Sequence, residues 1–353
     1  MNAKIMEVTL RDGGYSINFQ FSEYDTKKIG VALENAGIRY IELAHGMGLG
    51  GSDLKGCRAM CSDEEYLAVA QETYKKCKYG VICVPAYSYC PDVKKLDMLE
   101  KYGCSFVRVA STPDKIQLSK RYIERGKEMG LMVSANFMKS YTATVEEFRR
   151  NVRLSREYGV DCVYVVDSAG YMLPEDIKKY YDIIREFDGL KAGFHGHNNL
   201  GLAVSNSLYA VELGFDFIDT SLQGLGRSAG NTSTELFVAL LYVKYGIKDY
   251  DIKSIVKFSE NYVKPLVKNE GLYGLDIFCG IAGFHSSYMK YIHRVAAKYE
   301  VNPYELIVEY CKIDKVNLDE NLLVEVAKKL PKEDINLSQY GFDRYIGDEQ
   351  KIK

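Results

Sequence analysis

At 353 residues the chain is long for one domain, yet one α/β barrel of ~250 residues with an appendage fits it. Its 47% hydrophobic and 27% charged residues are ordinary for a soluble globular enzyme. A formal net charge of −2 argues against a nucleic-acid or anionic-membrane surface, and no apolar run approaches the length of a membrane helix.

Along the chain, short apolar runs alternate with longer amphipathic ones. The pattern predicts strands at 5–8, 40–43, 79–84, 106–109, 132–136, 162–166, 192–195 and 217–219. Helical patterns lie between them near 22–36, 63–77, 91–102, 115–129, 144–158, 174–187 and 201–213, and one more follows at 231–245. Ser22, Ser62 with Asp63, Thr144 and Pro174 supply helix starts, and Gly37, Gly103, Gly130, Gly159 and Gly214 follow helical runs. Eight strand–helix pairs in ~245 residues are the rhythm of a (β/α)8 TIM barrel, with a doubly wound open sheet as the competing reading. After residue 248 the alternation stops, and the tail reads as helical at 251–264, 282–299, 303–312 and 319–329. The expected division is therefore a barrel domain, 1–248, and a helical domain, 249–353, packed on it.

Nine cysteines stand in apolar contexts with no CxxC pair and no zinc-finger spacing. They read as reduced, buried thiols. With no apolar signal stretch in the opening residues, the expected location is cytoplasmic.

The chain has only five histidines, and two of them, His195-Gly196-His197, stand together where the seventh apolar run ends. Residues two apart on a strand share a face, so the two imidazoles converge as a divalent metal requires. A two-His site commonly takes a carboxylate as third ligand, and Asp12 in Thr9-Leu10-Arg11-Asp12-Gly13 follows the first strand. In a barrel these positions meet, because the C-terminal strand ends face one site. Glu42 and His45 end the second strand, Ser168 the sixth, and residues 224–231 follow the eighth. The plain alternatives are a surface Arg–Asp salt bridge and a solvent-facing His pair.

Thr9 to Gly13, Ile41-Glu42, His195-Gly196-His197-Asn198 and the 224–231 loop, GLGRSAGN, together resemble the metal-dependent aldolase and condensing-enzyme (HMG-CoA lyase-like) TIM-barrel superfamily. Ile41-Glu42-Leu43-Ala44-His45-Gly46 with Gly48-Leu49, and the tail segment from Gly280 to Ser287, are most similar to its 4-hydroxy-2-oxovalerate aldolase branch. The resemblance implies Asp12, His195 and His197 as metal ligands and Asn231 as a fourth. The metal would be Mn²⁺, as in most of that branch, with Mg²⁺, Co²⁺ or Zn²⁺ open. It also implies a 2-oxo acid and an aldehyde as ligands and an acylating aldehyde dehydrogenase as a partner for the tail; a homo-oligomer stays open. Arg11 would stabilise the enolate oxygen, held by Glu42 in a forked pair. His45 and Ser168 are candidates for substrate contact; a mouth-lining His without a role and a helix cap are the plain readings. His293 reads as structural.

One departure stands out. The branch carries His where this chain has Tyr15, and Tyr where this chain has His285. The exchange points to His285 as the base at the substrate's 4-hydroxyl, oriented by Tyr15, with a titration near pH ~6–7. A His285 without access to the site is the other reading. The function implied is a class II aldolase that cleaves or forms a 4-hydroxy-2-oxo acid through a pyruvate enolate. The alternative is an acyl-CoA-dependent condensing enzyme of the isopropylmalate or homocitrate synthase kind. Those enzymes usually carry Glu-Arg where this chain has Arg227-Ser228, and the lyases of hydroxymethylglutaryl-CoA carry a cysteine that residues 224–230 lack. A non-catalytic scaffold is a third reading.

Overall fold

The computed structural model describes residues 3–54, 56–85, 90, 92–267 and 273–345. Among the described residues eight strands form: β1 Lys4–Glu7, β2 Tyr40–Leu43, β3 Lys78–Cys83, β4 Phe106–Ser111, β5 Met132–Phe137, β6 Cys162–Asp167, β7 Lys191–Gly196 and β8 Phe217–Thr220. They close into one parallel barrel in chain order, with Glu7 beside Ile41 of β2 and Thr220 of β8. The closed barrel decides against the open sheet. Strands of a parallel barrel are covered on both faces, which is why each reads as a near-continuous apolar run. Met6, Tyr40, Phe106, Tyr164 and Phe217 pack together inside it, and a larger apolar cluster fills the layer between strands and helices.

The barrel helices are α1 Glu23–Asn35, α2 Asp63–Thr73, α3 Asp97–Lys101, α4 Lys120–Glu128, α5 Val145–Tyr158, α6 Pro174–Arg185, α7 Ala203–Leu213 and α8 Thr234–Tyr245. Ser22, Ser62 and Thr144 form capping boxes with the carboxylates three residues on, and Pro174 opens α6. Several helices are shorter than the sequence suggests. The carboxylate of Glu34 takes the N–H groups of Lys75, Lys76 and Cys77, which ends α2 early. Tight 3-10 turns at Val93–Leu96 and Pro113–Ser119 replace the first turns expected of α3 and α4. Residue 91, where the third helix was expected to begin, lies outside the described residues. Asn231 and Thr232 belong to the rim loop, so α8 starts at Thr234 with Ser233 as its cap.

In the tail, α9 Ile252–Phe258 packs against α1 and α8, and its Ile255 joins the barrel's apolar cluster. The helices α10 Gly274–Ala282, α11 Met289–Tyr299, α12 Pro303–Cys311 and α13 Glu320–Ala327 build a second cluster around Leu275, Ile292, Leu306 and Leu323. The expected helix 282–299 is a correction. α10 ends on Gly283, which is left-handed at φ 68°, and a break follows before α11. That break presents His285 to the barrel.

Candidate metal centre and its cavity

Asp12 opens the 3-10 turn after β1, His195 lies at the end of β7, and His197 follows it. His197 pairs through its backbone with Asn231 in the loop after β8. All four side chains are buried. The ligand atoms of Asp12, His195 and His197 lie within 4.8 Å of one another. Each ring has its Nδ1 proton committed elsewhere: His195 Nδ1 lies 2.8 Å from the carboxylate of Asp219, and His197 Nδ1 lies 3.2 Å from the carbonyl of Gly230. Both partners only accept, so in the neutral rings both Nε2 atoms are bare lone pairs. They face each other at 3.3 Å, where neither can donate to the other. Burial, only partly offset by Asp12, pushes His197 down to about 3, so the ring stays neutral. Asn231 donates to Asp12 at 2.8 Å, and its own oxygen is buried without a partner. Two converging imidazole lone pairs, a carboxylate and an orphaned amide oxygen fit a divalent cation that accepts N and O donors.

The rim loop explains its glycines. A Cβ on Gly226 would stand 2.4 Å from Asn231 Nδ2 and 2.7 Å from Asp12 Oδ2. Gly230 is left-handed at φ 84°, and a Cβ there would meet the carbonyl of Gly224 at 2.0 Å.

Below the rim runs a chain of buried charges. Asp12 meets Arg11 at 2.5 Å, Arg11 meets Glu42 at 2.5 Å, Glu42 meets Arg108 at 3.1 Å, and Arg108 meets Asp219 at 2.6 Å. Asp219 then carries the chain to His195. Burial raises the carboxyl of Asp12, but Arg11 and the two imidazoles outweigh it and hold it well below the usual range. Three carboxylates against two guanidiniums leave this chain one negative charge in excess, which a cation would offset. Arg11 uses Nε on Glu42 and NH1 on Asp12, so both its orientation and its charge are fixed.

Arg11, Asp12, Tyr15, Ser168, His197 and His285 are among the residues that enclose a cavity of about 70 Å³ beside this centre, and His195 lines it too. A larger cleft of about 500 Å³ shares Tyr15 and Arg227 with it. Glu42 is not among the lining residues and meets the cavity through its bond to Arg11. Ser168 Oγ accepts from the backbone of Lys139 at 3.0 Å, which leaves its hydroxyl proton to donate. Tyr15 is held by Arg227, whose guanidinium donates to the phenol oxygen and lies 4.0 Å from the ring centre. His285 Nδ1 lies 2.7 Å from Ser287 Oγ. Burial, followed by Arg227, Lys139 and His197, holds His285 well below its ordinary range, so a His285 titration at pH ~6–7 is not what this geometry gives.

His45 lies outside the cavity. Its Nε2 meets the carbonyl of Cys57 at 2.7 Å, its Nδ1 accepts from Met47 N–H at 3.1 Å, and Phe19 lies on its ring at 3.9 Å. Both nitrogens are engaged within the β2 loop, which the ring clips together. His293 packs edge-on to Phe342 in the tail. Sequence reasoning missed Arg108, Asp219 and Arg227. Period two offered a signal: Phe106 faces the barrel interior, so Arg108 must as well.

Residues 2–261 match the HMGL-like family and residues 274–332 the DmpG-like communication domain. The 4-hydroxy-2-oxovalerate aldolase of Carboxydothermus hydrogenoformans is 34% identical over 331 residues, covering 93% of this chain and 97% of the relative. That of Geobacillus thermodenitrificans is 34% identical over 328 residues, covering 92% and 95%. Among solved structures, HMG-CoA lyase of Bacillus subtilis shares the fold with a TM-score of 0.62 at 17% identity, covering 76% of this chain and 96% of that one. The carboxyl transferase domain of Rhizobium etli pyruvate carboxylase gives 0.76 at 16% identity, covering 92% and 60%. With a family match over most of the chain and relatives of this similarity over nearly all of it, the chain belongs to the HMGL-like family and carries a DmpG-like communication domain in its tail.

Proposed function

We infer that the chain is a metal-dependent aldolase acting on a 4-hydroxy-2-oxo acid, with pyruvate and an aldehyde as the other side of the reaction. The observation that carries this is the pair of Nε2 lone pairs converging with Asp12 beside an arginine locked by Glu42. Asp12, His195, His197 and Asn231 would hold the metal. When bound, it supplies Lewis-acid polarisation of the 2-keto group. Mn²⁺ is the ion we propose, with Mg²⁺, Co²⁺ and Zn²⁺ as alternatives of the same donor preference.

In cleavage the proton leaves the 4-hydroxyl, the C3–C4 bond breaks, and C4 becomes the aldehyde carbonyl. The electron pair moves into the C2–C3 bond and charge develops on the former keto oxygen. Arg11 stabilises that oxygen, and its fixed orientation makes the stabilisation pre-organised. His285 takes the hydroxyl proton, with Tyr15 orienting the group. Ser287 holds the ring through Nδ1, by its hydroxyl at 2.7 Å and by its backbone N–H, which donates at 3.3 Å. Ser168 donates to the substrate carboxylate. His45 supports the β2 loop and touches no substrate.

The tail's match to the communication domain supports docking of an acylating aldehyde dehydrogenase that takes the aldehyde onward. Leu236, Tyr242 and Val243 stand exposed on α8, a surface suited to a second copy of the chain. The nine free cysteines suit a reducing compartment, and we place the protein in the cytoplasm. No helix among the described residues is long and apolar enough to cross a membrane. The test is pyruvate release from 4-hydroxy-2-oxo acids after chelation and again with Mn²⁺ restored. Thiol release from acetyl-CoA with 2-oxo acids, and no pyruvate, would instead point to condensation.

A further inference from the structure

The loop between β8 and α8 contacts the cavity at several points, one of them the backbone N–H of Arg227, which donates to Asp12 Oδ2 at 3.3 Å. Arg227 holds Tyr15, the Gly230 carbonyl takes His197 Nδ1, and Asn231 holds Asp12. Between these residues Ser228 is left-handed at φ 57°, a conformation that a non-glycine residue keeps only when its surroundings fix it. The fixing comes mainly from the tail. Ser228 Oγ donates to Asp276 Oδ1 at 2.8 Å, and Arg344 NH2 donates to the Ser228 carbonyl at 2.9 Å. Asn199, in the loop after β7, adds bonds to Ser228 Oγ and to the Asp276 carbonyl, both at 2.9 Å. Asp276 is itself locked: Tyr345 donates to its Oδ1 at 2.7 Å, and Arg344 NH1 meets its Oδ2 at 2.8 Å. It is 1% exposed, on the first turn of α10.

We propose that Asp276 is a positioning residue of the metal centre, acting through Ser228 on the loop that aims Arg227, Gly230 and Asn231. The proposal rests on the reading of Asp12, His195, His197 and Asn231 as a metal centre. A carboxylate in the tail thereby sets the geometry of ligands in the barrel, across the boundary between the two matched regions. Removing it frees Ser228 to leave the left-handed region, which turns the flanking carbonyl and amide groups away from His197 and Asp12.

Two readouts apart from turnover test this on the full-length protein: the Mn²⁺ dissociation constant, and hydrogen exchange of the peptide spanning 224–231. Asp276→Ala is expected to weaken Mn²⁺ at least about tenfold, as loss of support behind a ligand does, and to speed exchange in the loop. Adding Ser228→Gly should recover part of the Mn²⁺ affinity, because glycine adopts φ near 57° without strain, while loop exchange stays fast because glycine adds backbone freedom. A purely structural role for Asp276 in tail packing gives no such recovery. Ser228→Ala, which deletes only the hydroxyl, should show the same pattern more weakly and stands in if Asp276→Ala does not fold. Unchanged loop exchange and metal affinity in a folded variant would overturn the proposal, as would failure of Ser228→Gly to restore any of the lost affinity. If the wild-type protein bound no Mn²⁺, the reading of the metal centre would fall, and loop exchange alone would decide the coupling.

Discussion

Asp12, His195 and His197 stand on or beside strand ends whose positions the closed sheet fixes, whereas His285 stands in a short break between two tail helices. Asp12 and His195 are tied into a chain of buried charges running from Asp12 to Asp219, and His197 is held by the Gly230 carbonyl. His285 is tied by Ser287, two residues away in its own loop. On the proposed function, the barrel supplies groups that must not move, and the tail supplies one whose proton must. If that division is right, damage to the barrel side removes metal and turnover together. Damage to the tail residue separates them.

The largest effect belongs to His195→Ala. Deleting one of two converging imidazoles leaves Asp219 with no ring to orient, and metal-dependent cleavage should fall on the order of 10³-fold or more. The fold should survive, since the site lies above the apolar barrel interior. Calorimetric Mn²⁺ titration together with a pyruvate assay checks both parts. Wild-type cleavage by this variant after exhaustive chelation would remove the metal from the account.

Arg11→Lys breaks the division from within the barrel. Lysine keeps the charge but cannot bond Glu42 and Asp12 at once in the arginine's forked geometry. Turnover should lose about 2–4 kcal/mol of transition-state stabilisation, with much less effect on Mn²⁺ affinity. Normal exchange of pyruvate methyl protons in this variant would assign the enolate oxygen to another group.

These two residues also mark how much was legible beforehand. Capping boxes and strand–helix alternation are local, so Ser22, Ser62, Thr144 and the eight strands could be read directly. The His pair could be read because period two puts neighbours on one face, and the resemblance supplied Asp12 and Asn231 with it. Arg108 was hidden by its setting, a charged residue inside an apolar strand whose two partners lie on β2 and β8. No local pattern shows that closure. The tail was harder still. Gly274, Gly280 and Gly283 depress the helical signal of α10, so its residues did not read as a helix at all. The stop at Gly283 that turns His285 inward went unread with it.

His285→Asn tests the tail side. Carbon–carbon cleavage should slow about 10²-fold, the lower end of what positioned proton transfer contributes. Mn²⁺ affinity should hold, and exchange of pyruvate methyl protons should be the less affected reaction. Because burial holds His285 neutral, the wild-type cleavage rate should show no limb from this residue at pH 6–7. A limb there that vanished in His285→Asn would mean the ring is far better solvated than its surroundings indicate. An unaltered rate would return the proton transfer to Tyr15 or water.

The smallest effect sharpens the contrast at His45, which lies outside the cavity lining. Burial pushes His45 down to about 4, and a proton on Nδ1 would face the N–H of Met47, donor against donor. The folded chain thus refuses a proton that the unfolded chain accepts below pH ~6.5. The sign follows: stability falls as pH drops from ~6.5 towards 4, by about 1.4 kcal/mol per unit from this residue, and the slope ends once the folded ring protonates too. His45→Gln offers a donor for the Cys57 carbonyl and an acceptor for Met47, but does not titrate. At pH 8 it should unfold at nearly the wild-type urea concentration. At pH 5 it should have lost about 2 kcal/mol less than the wild type. Parallel stability–pH curves for the two proteins would mean that His45 is charged in the fold, and its place as a neutral clip of the β2 loop would be lost.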